Sequence, residues 1–327
     1  MEKRSLRLSS LELLRIICML FIVAHHFGMH SAFYGEISPF NAFIIRIFSS
    51  YGKLAVNVFV LITGYFLVES KFKFKRVFNV VALTIFYSVV IYSIFAICGR
   101  VDFSFRELVK CFFPVYEDGY WFVTSFVALS LLSPFINKLL HVLTHGQHIL
   151  FIILLILMQG YVSFTRSYFN FSATAWFITL YVISAYIRRY PNKLFDSTLV
   201  MGICSTVFGL VVMLWNKATS MRDLFCLLAS VSLFCLFKNL KIKNCRAINL
   251  ISKTTFGIYL IHDSKLIRPV LWNEILLCPQ HVHFDHFWLF SIACTLLVFV
   301  LCIIIELLRI GACRLIVLGF NKIKNKE

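Results

Sequence analysis

Residues 11–27 read Leu11-Glu12-Leu13-Leu14-Arg15-Ile16-Ile17-Cys18-Met19-Leu20-Phe21-Ile22-Val23-Ala24-His25-His26-Phe27. This run is long and apolar enough to cross a bilayer as a helix. It nevertheless holds an arginine and two histidines, and ionisable groups kept in hydrocarbon point to function because they are costly there. Arg15 and His26 are eleven positions apart, about 20° from three full turns, so they share one helical face roughly 16 Å apart. One helix thus displays a guanidinium and an imidazole at two depths. Ser9 followed by Glu12 has the pattern of a capping box, which predicts a helix start there. Glu12 is also spaced to pair with Arg15. His25, turned about 100° from His26, faces another neighbour and reads as structural.

The same apolar character extends over the chain. Of 327 residues, 60% are hydrophobic and only 14% charged, with a mean hydropathy of +0.85. That is too apolar for a water-soluble domain and predicts an all-α polytopic membrane protein. Runs of roughly 17 to 25 mainly apolar residues fall at 11–28, 53–69, 77–98, 120–138, 149–163, 173–188, 196–215, 222–237, 250–268 and 286–308, which gives about ten transmembrane helices.

Lys and Arg gather in cytoplasmic loops and tails. With an even number of spans, Lys3, Arg4 and Arg7 share one side with Lys71, Lys73, Lys75 and Arg76, with the basic loop 238–253 and with the basic tail. Both termini are therefore expected in the cytoplasm, Arg15 near the inner interface and His26 in the outer half of the membrane. The net charge of +17 is then topological, and nucleic acid loses its main support as a partner. Membrane lipids are the expected surroundings.

No Pro-, Gly- or Ser-rich linker and no fixed-period repeat divides the chain, so residues 1–327 are read as a single transmembrane domain. The first apolar run has no small-residue cleavage site and is read as a retained span. Segments 29–52, 99–119 and 269–285 are expected as the longer outer loops. The eleven cysteines form no Cys-x-x-Cys pair and read mostly as packing residues. Cys111 and Cys278 both fall in outer loops, which leaves a disulfide between them open. His26 and His30 are spaced i,i+4, and His281, His283, Asp285 and His286 cluster in sequence, but neither set completes a ligand pattern. No metal is expected.

Other spans bring polar groups to the depth of His26. The ninth reads Thr254-Thr255-Phe256-Gly257-Ile258-Tyr259-Leu260-Ile261-His262-Asp263, with Tyr259 and His262 on neighbouring positions of one face. The second carries Asn57 and then Thr63-Gly64-Tyr65-Phe66, and the fourth opens on Tyr120-Trp121-Phe122.

These segments together resemble the integral-membrane acyltransferase-3 family, which includes bacterial O-acetyltransferases of surface polysaccharides. The resemblance rests on Arg15 with His26, on Val56-Asn57-Val58-Phe59-Val60-Leu61-Ile62-Thr63-Gly64-Tyr65-Phe66-Leu67, on Tyr120-Trp121-Phe122 with Leu132-Ser133-Pro134-Phe135, and on Thr255-Phe256-Gly257-Ile258-Tyr259-Leu260-Ile261-His262. In order and position they cover most of the chain. Thr63 and Tyr65 depart from the Ser and Phe common in the family. Lys73-x-x-Arg76 is similar to a basic pair at that place, with a Lys for one Arg and no following Pro.

The resemblance implies O-acyl transfer, most readily O-acetyl transfer, across the cell membrane of a bacterium. Cytoplasmic acetyl-CoA or another acyl-CoA would be the donor. The acceptor would be a hydroxyl of a cell-envelope or exopolysaccharide saccharide or its lipid-linked precursor, with glycan-assembly proteins as further partners. His26 and Arg15 match the family's essential His and Arg. The chemistry agrees: an imidazole can deprotonate the acceptor hydroxyl as general base or carry the acyl group covalently, and a forked, permanent cation suits phosphate or carboxylate. Arg15, Lys73 and Arg76 are the expected contacts to coenzyme A. Glu12, Asn57, Tyr120, Trp121, Tyr259 and His262 are expected in support. The rival reading is a transporter or flippase for polysaccharide precursors, whose intramembrane charges would line a path. Such proteins often show internal repeats and paired broken helices, which this sequence does not display.

Overall fold

The first apolar run forms α1, Ser9–His30, in a computed structural model that describes residues 8–115, 119–159, 172–215 and 220–324. At 22 residues it is about 33 Å long. The expected capping box is not made. Leu8 holds the N-cap position and provides no side-chain cap, while the Ser9 hydroxyl accepts from the Cys245 amide at 3.0 Å and donates to Asn249 at 3.3 Å. Glu12 turns forward to Arg15, 2.9 Å away. A tertiary partner and an ion pair thus outcompete the local cap.

Segment 29–52, expected as a loop, contains α2, Pro39–Ser50. Ser38 caps it through the Asn41 amide and Pro39 occupies its first turn, where a missing N–H loses nothing. Only Tyr51 separates α2 from α3, Gly52–Leu67. Next come α4, Phe74–Ile97, the short α5, Phe105–Lys110, and α6, Trp121–Val142. Then follow α7, His145–Gln159, α8, Ala173–Arg189, α9, Thr198–Leu214, and α10, Leu224–Asn239. Residues 160–163 of the expected fifth span lie outside the described residues.

Segment 250–268, expected as one span, is broken. It comprises the end of α11, Arg246–Ile251, a 3₁₀ turn at Ser252–Thr254, and α12, Thr255–His262. After the break come α13, Ile267–Pro269, a π-turn at Val270–Ile275, and α14, Cys278–His281. The last helix, α15, runs Phe287–Lys324, beyond the apolar stretch that predicts it.

Helices in Ser9–His30, Pro39–Leu67, Phe74–Ile97, Trp121–Val142 and Phe287–Leu318 are long and apolar enough to cross a membrane, and α7, α9 and α10 are shorter apolar helices. The result is an all-α membrane protein in which the apolar stretches are unequal in length. No strand is present among the described residues.

Helix α1 is the hub, packed by α2, α3, α10, α11, α12 and α15. It buries Leu11, Leu14, Cys18, Val23 and Phe27. On the periphery, α9 exposes Leu199, Ile203, Val207, Leu210 and Leu214, and α15 exposes Leu297, Leu301, Ile304 and Leu308. Their three- and four-residue spacing makes a continuous apolar stripe on each helix. In water such stripes would be an aggregation surface; in a bilayer they meet lipid. The inner face of α15 is instead small or polar, with Ser291, Cys294, Cys302 and Glu306 buried, as suits close helix packing in lipid.

Candidate active site

The break after α12 brings two polar residues to the outer part of α1. His262 Nδ1 lies 2.5 Å from the Ile258 carbonyl and its Nε2 lies 2.9 Å from His26 Nδ1. A carbonyl only accepts, so His262 carries its proton on Nδ1 and presents Nε2 as an acceptor. His26 Nδ1 must then be the donor. The lone pair of neutral His26 is left on Nε2, which has no partner among the described residues. The relay from Ile258 through His262 therefore fixes His26 in the tautomer that a general base needs.

Asp263 is the C-cap of α12, only 1% exposed in its side chain, with Oδ1 at 3.2 Å from His26 Nδ1 and 3.7 Å from His30 Nε2. A buried carboxylate at a helix C-terminus is unfavourable unless paired. Arg268 supplies the pairing, its Nε donating to Oδ1 at 2.7 Å. Asp263 thus backs His26 with negative charge wherever the imidazole takes up a proton. His25 does belong to a different contact: its Nδ1 lies 2.6 Å from the Ser49 carbonyl. Its ring packs where any side chain on Gly52 would collide with it.

Three cavities adjoin along α1. The central one, about 1120 Å³, is walled by Met19, Ile22, Val56, Phe59 and Phe126, with Arg15 and His26 both among its lining residues. A second, about 710 Å³, shares Arg15 and Thr63 with it and adds Lys73 and Arg76. A third, about 900 Å³, shares His26, Lys53 and Trp121 with the central cavity and adds His30, Asp263 and Arg268. Arg15 thus stands at one junction and His26 at the other. The arrangement offers a cationic chamber, an apolar passage and a mixed-charge chamber in series.

The other sequence-derived candidates separate into two groups. Trp121 and Tyr259 line the central cavity, and Arg76 reaches Ser70 at 2.9 Å beside Lys73. Glu12 stands behind Arg15 as its ion-pair partner, and His262 stands fully buried behind His26. Tyr120 does not line the cavity; its hydroxyl donates to the Leu260 carbonyl at 2.9 Å and its ring supports Tyr259. Asn57 lies away from the cavity altogether. It donates to the Met221 carbonyl at 2.8 Å and accepts from Trp176 Nε1 at 3.0 Å, which ties α3 to α8 and to the start of α10. The sequence reading missed Asp263, Arg268 and Lys53; the ammonium of Lys53 sits 4.8 Å from the centre of the Trp121 ring.

His26, His30 and Asp263 offer ligand atoms within 4.8 Å of one another. The Asp263 oxygen that would face a metal already accepts from Arg268, so the geometry is that of a hydrogen-bonded relay. His281, His283, Asp285 and His286 form no such group among the described residues; His281 instead stacks on Phe290 at 4.2 Å. All the cysteines are free thiols, so Cys111 and Cys278 are not joined. Cys278 is buried against Cys294.

A family model described as an acyltransferase domain matches residues 8–307 of the chain. No curated protein and no solved structure matches it.

Proposed function

The chain belongs to the acyltransferase-3 family, and from that premise we propose that it is an O-acetyltransferase that moves an acetyl group from acetyl-CoA to a saccharide hydroxyl. The observation that carries this reading is the series of cavities with Arg15 at one junction and His26 at the other. Coenzyme A carries several phosphates, which the cations of Lys73, Arg76 and Arg15 suit. Its thin pantetheine arm fits an apolar passage, and its thioester would then arrive beside His26. Both termini are placed in the cytoplasm, the second cavity on the donor side and the third on the acceptor side of a bacterial cell membrane. The acceptor would be an envelope saccharide or its lipid-linked precursor, delivered by glycan-assembly proteins.

The acceptor hydroxyl enters by the third cavity. His26 Nε2 takes its proton as the hydroxyl oxygen attacks the thioester carbonyl carbon, and the carbonyl π electrons move onto oxygen. Asp263 offsets the charge of the imidazolium that forms. Collapse of the intermediate breaks the C–S bond, and the departing coenzyme A thiolate takes the proton back from His26. The products are an ester and free coenzyme A, with His26 returned to its starting state.

The test is transfer of label from acetyl-CoA to candidate glycans by membranes holding wild-type or His26→Ala protein. Loss of transfer by a folded His26→Ala protein is expected. Unchanged transfer would remove His26 from the chemistry. Glycan movement across the membrane without transfer from any acyl donor would favour the transporter reading.

A further inference from the structure

Tyr259 lies one turn before His262 on α12 and lines the central cavity beside His26. Its ring is fixed on three sides, with ring centres of Tyr120 at 5.8 Å, Phe122 at 5.7 Å and Phe256 at 6.4 Å. The residue is 6% exposed, yet its hydroxyl forms no hydrogen bond. Buried polar groups are nearly always paired, so an orphan of this kind calls for a reason. Tyr120 alongside shows the ordinary outcome, since its hydroxyl reaches the Leu260 carbonyl.

A second observation lies opposite. Helix α6 begins at Trp121 with no side-chain cap from Tyr120. Its first amides, on Trp121, Phe122 and Val123, find no acceptor among the described residues. The Phe122 amide is turned towards the Tyr259 oxygen. An amide donates, so it leaves the phenolic proton still without an acceptor. The uncapped start of α6 also carries the positive end of its helix dipole. A rigid phenolic donor and a positive helix end thus share the wall of the cavity that holds the free nitrogen of His26.

We infer that Tyr259 is the oxyanion-stabilising residue of acyl transfer, its O–H donating to the thioester carbonyl oxygen as negative charge builds there. The inference rests on the acetyl-transfer reading above. When His26 takes the hydroxyl proton and the carbonyl electrons move to oxygen, the phenolic proton is shared with that oxygen and stays on Tyr259. It is returned fully when the C–S bond breaks. A donor held in place before the reaction, in a cavity with little water, acts strongly on charge that appears only in the transition state.

Tyr259→Phe in the full-length protein tests this. The substitution should lower kcat for transfer from acetyl-CoA about 100-fold and change KM for acetyl-CoA by less than about threefold. Its thermal midpoint in detergent should be equal or higher, because an unpaired hydroxyl has been removed from an apolar wall. Infrared difference spectra with carbonyl-labelled acetyl-CoA give an independent readout. The bound carbonyl band should be lowered in wild type and return towards its free position in Tyr259→Phe. Wild-type transfer with an unaffected variant overturns the role of Tyr259 and leaves the acetyl-transfer reading intact. Loss of activity that merely follows a fall in thermal midpoint, with the carbonyl band unmoved, overturns it too. Absence of transfer by wild type overturns both readings.

Discussion

His262 Nε2 lies 2.9 Å from His26 Nδ1, and the far nitrogen of His262 is committed to the Ile258 carbonyl. Because the backbone carbonyl cannot donate, the direction of the whole chain of hydrogen bonds is set from inside α12. His262 acts on the reaction through His26, as a positioning residue. Replacing it with Phe removes the acceptor and leaves Asp263 as the remaining partner of His26 Nδ1. We expect kcat to fall about tenfold, a smaller loss than for His26→Ala, with KM for the donor unchanged. His262→Gln, whose side-chain carbonyl can accept from His26, should recover part of the loss. Equal kcat in wild type and His262→Phe would show that the relay is not needed.

Asp263 makes a stronger demand. Its carboxylate is the buried negative charge beside His26 Nδ1 and is itself neutralised by Arg268. Asp263→Asn keeps the shape but removes the charge that favours a protonated His26. It also offers an amide group that can donate where a donor already points. The expected result is a loss of kcat of about 100-fold or more. The double variant Asp263→Asn with His26→Ala should be no worse than His26→Ala alone, since both act through one imidazole. Additive losses in steady-state kinetics would separate Asp263 from His26.

How far the sequence reached is clearest at this pair. Arg15 and His26 were placed on one face at two depths because helical periodicity alone determines it, and His262 followed from its position along an apolar span. Asp263 stayed hidden because segment 250–268 was read as one straight helix, on which adjacent residues point about 100° apart. The chain instead leaves the helix at Asp263, and that exit lets two consecutive residues face the same imidazole. Asn57 failed in the opposite direction: a polar residue in a span has no direction until its neighbours are known, and Trp176 with Met221 turned it away from the cavity. Lys53 read as a flanking charge, whereas the close passage of Gly52 against His25 carries it into the site. The helices within the loops were legible only in part, with Ser38-Pro39 the plainest start signal.

Arg15 tests the donor side. Its guanidinium is held by Glu12 on one flank and borders the central and second cavities on the other. If it binds coenzyme A, Arg15→Ala should raise KM for acetyl-CoA roughly tenfold, equivalent to about 1.4 kcal/mol, and alter kcat little. Arg76→Ala should do likewise. Neither substitution should change KM for the saccharide acceptor. Initial-rate measurements with each substrate varied in turn decide the matter, and an effect confined to the acceptor would reverse the assignment of sides.

The last prediction concerns what holds α12 at the right depth. Gly257 faces α15, where an added Cβ would lie 2.6 Å from Glu306 Oε2 and 2.7 Å from its Cγ. Glu306 cannot move aside freely, because Tyr87 donates to it at 2.5 Å and Arg309 grips both of its oxygens at 2.6 and 2.7 Å. The carboxylate is thus a fixed stop linking α4, α12 and α15. Gly257→Ala should destabilise the protein by about 1–3 kcal/mol, in the range for overpacking, and displace the turn that carries His262. Activity per folded molecule should therefore fall as well, since small displacements at a reacting centre have large effects. Glu306→Ala also destabilises, by leaving Arg309 and Tyr87 without their partner, but it opens the space that the new methyl group needs. Adding Gly257→Ala to Glu306→Ala should then have little further effect on the thermal midpoint. Strictly additive losses would show that Gly257 is needed for some reason other than the approach of Glu306.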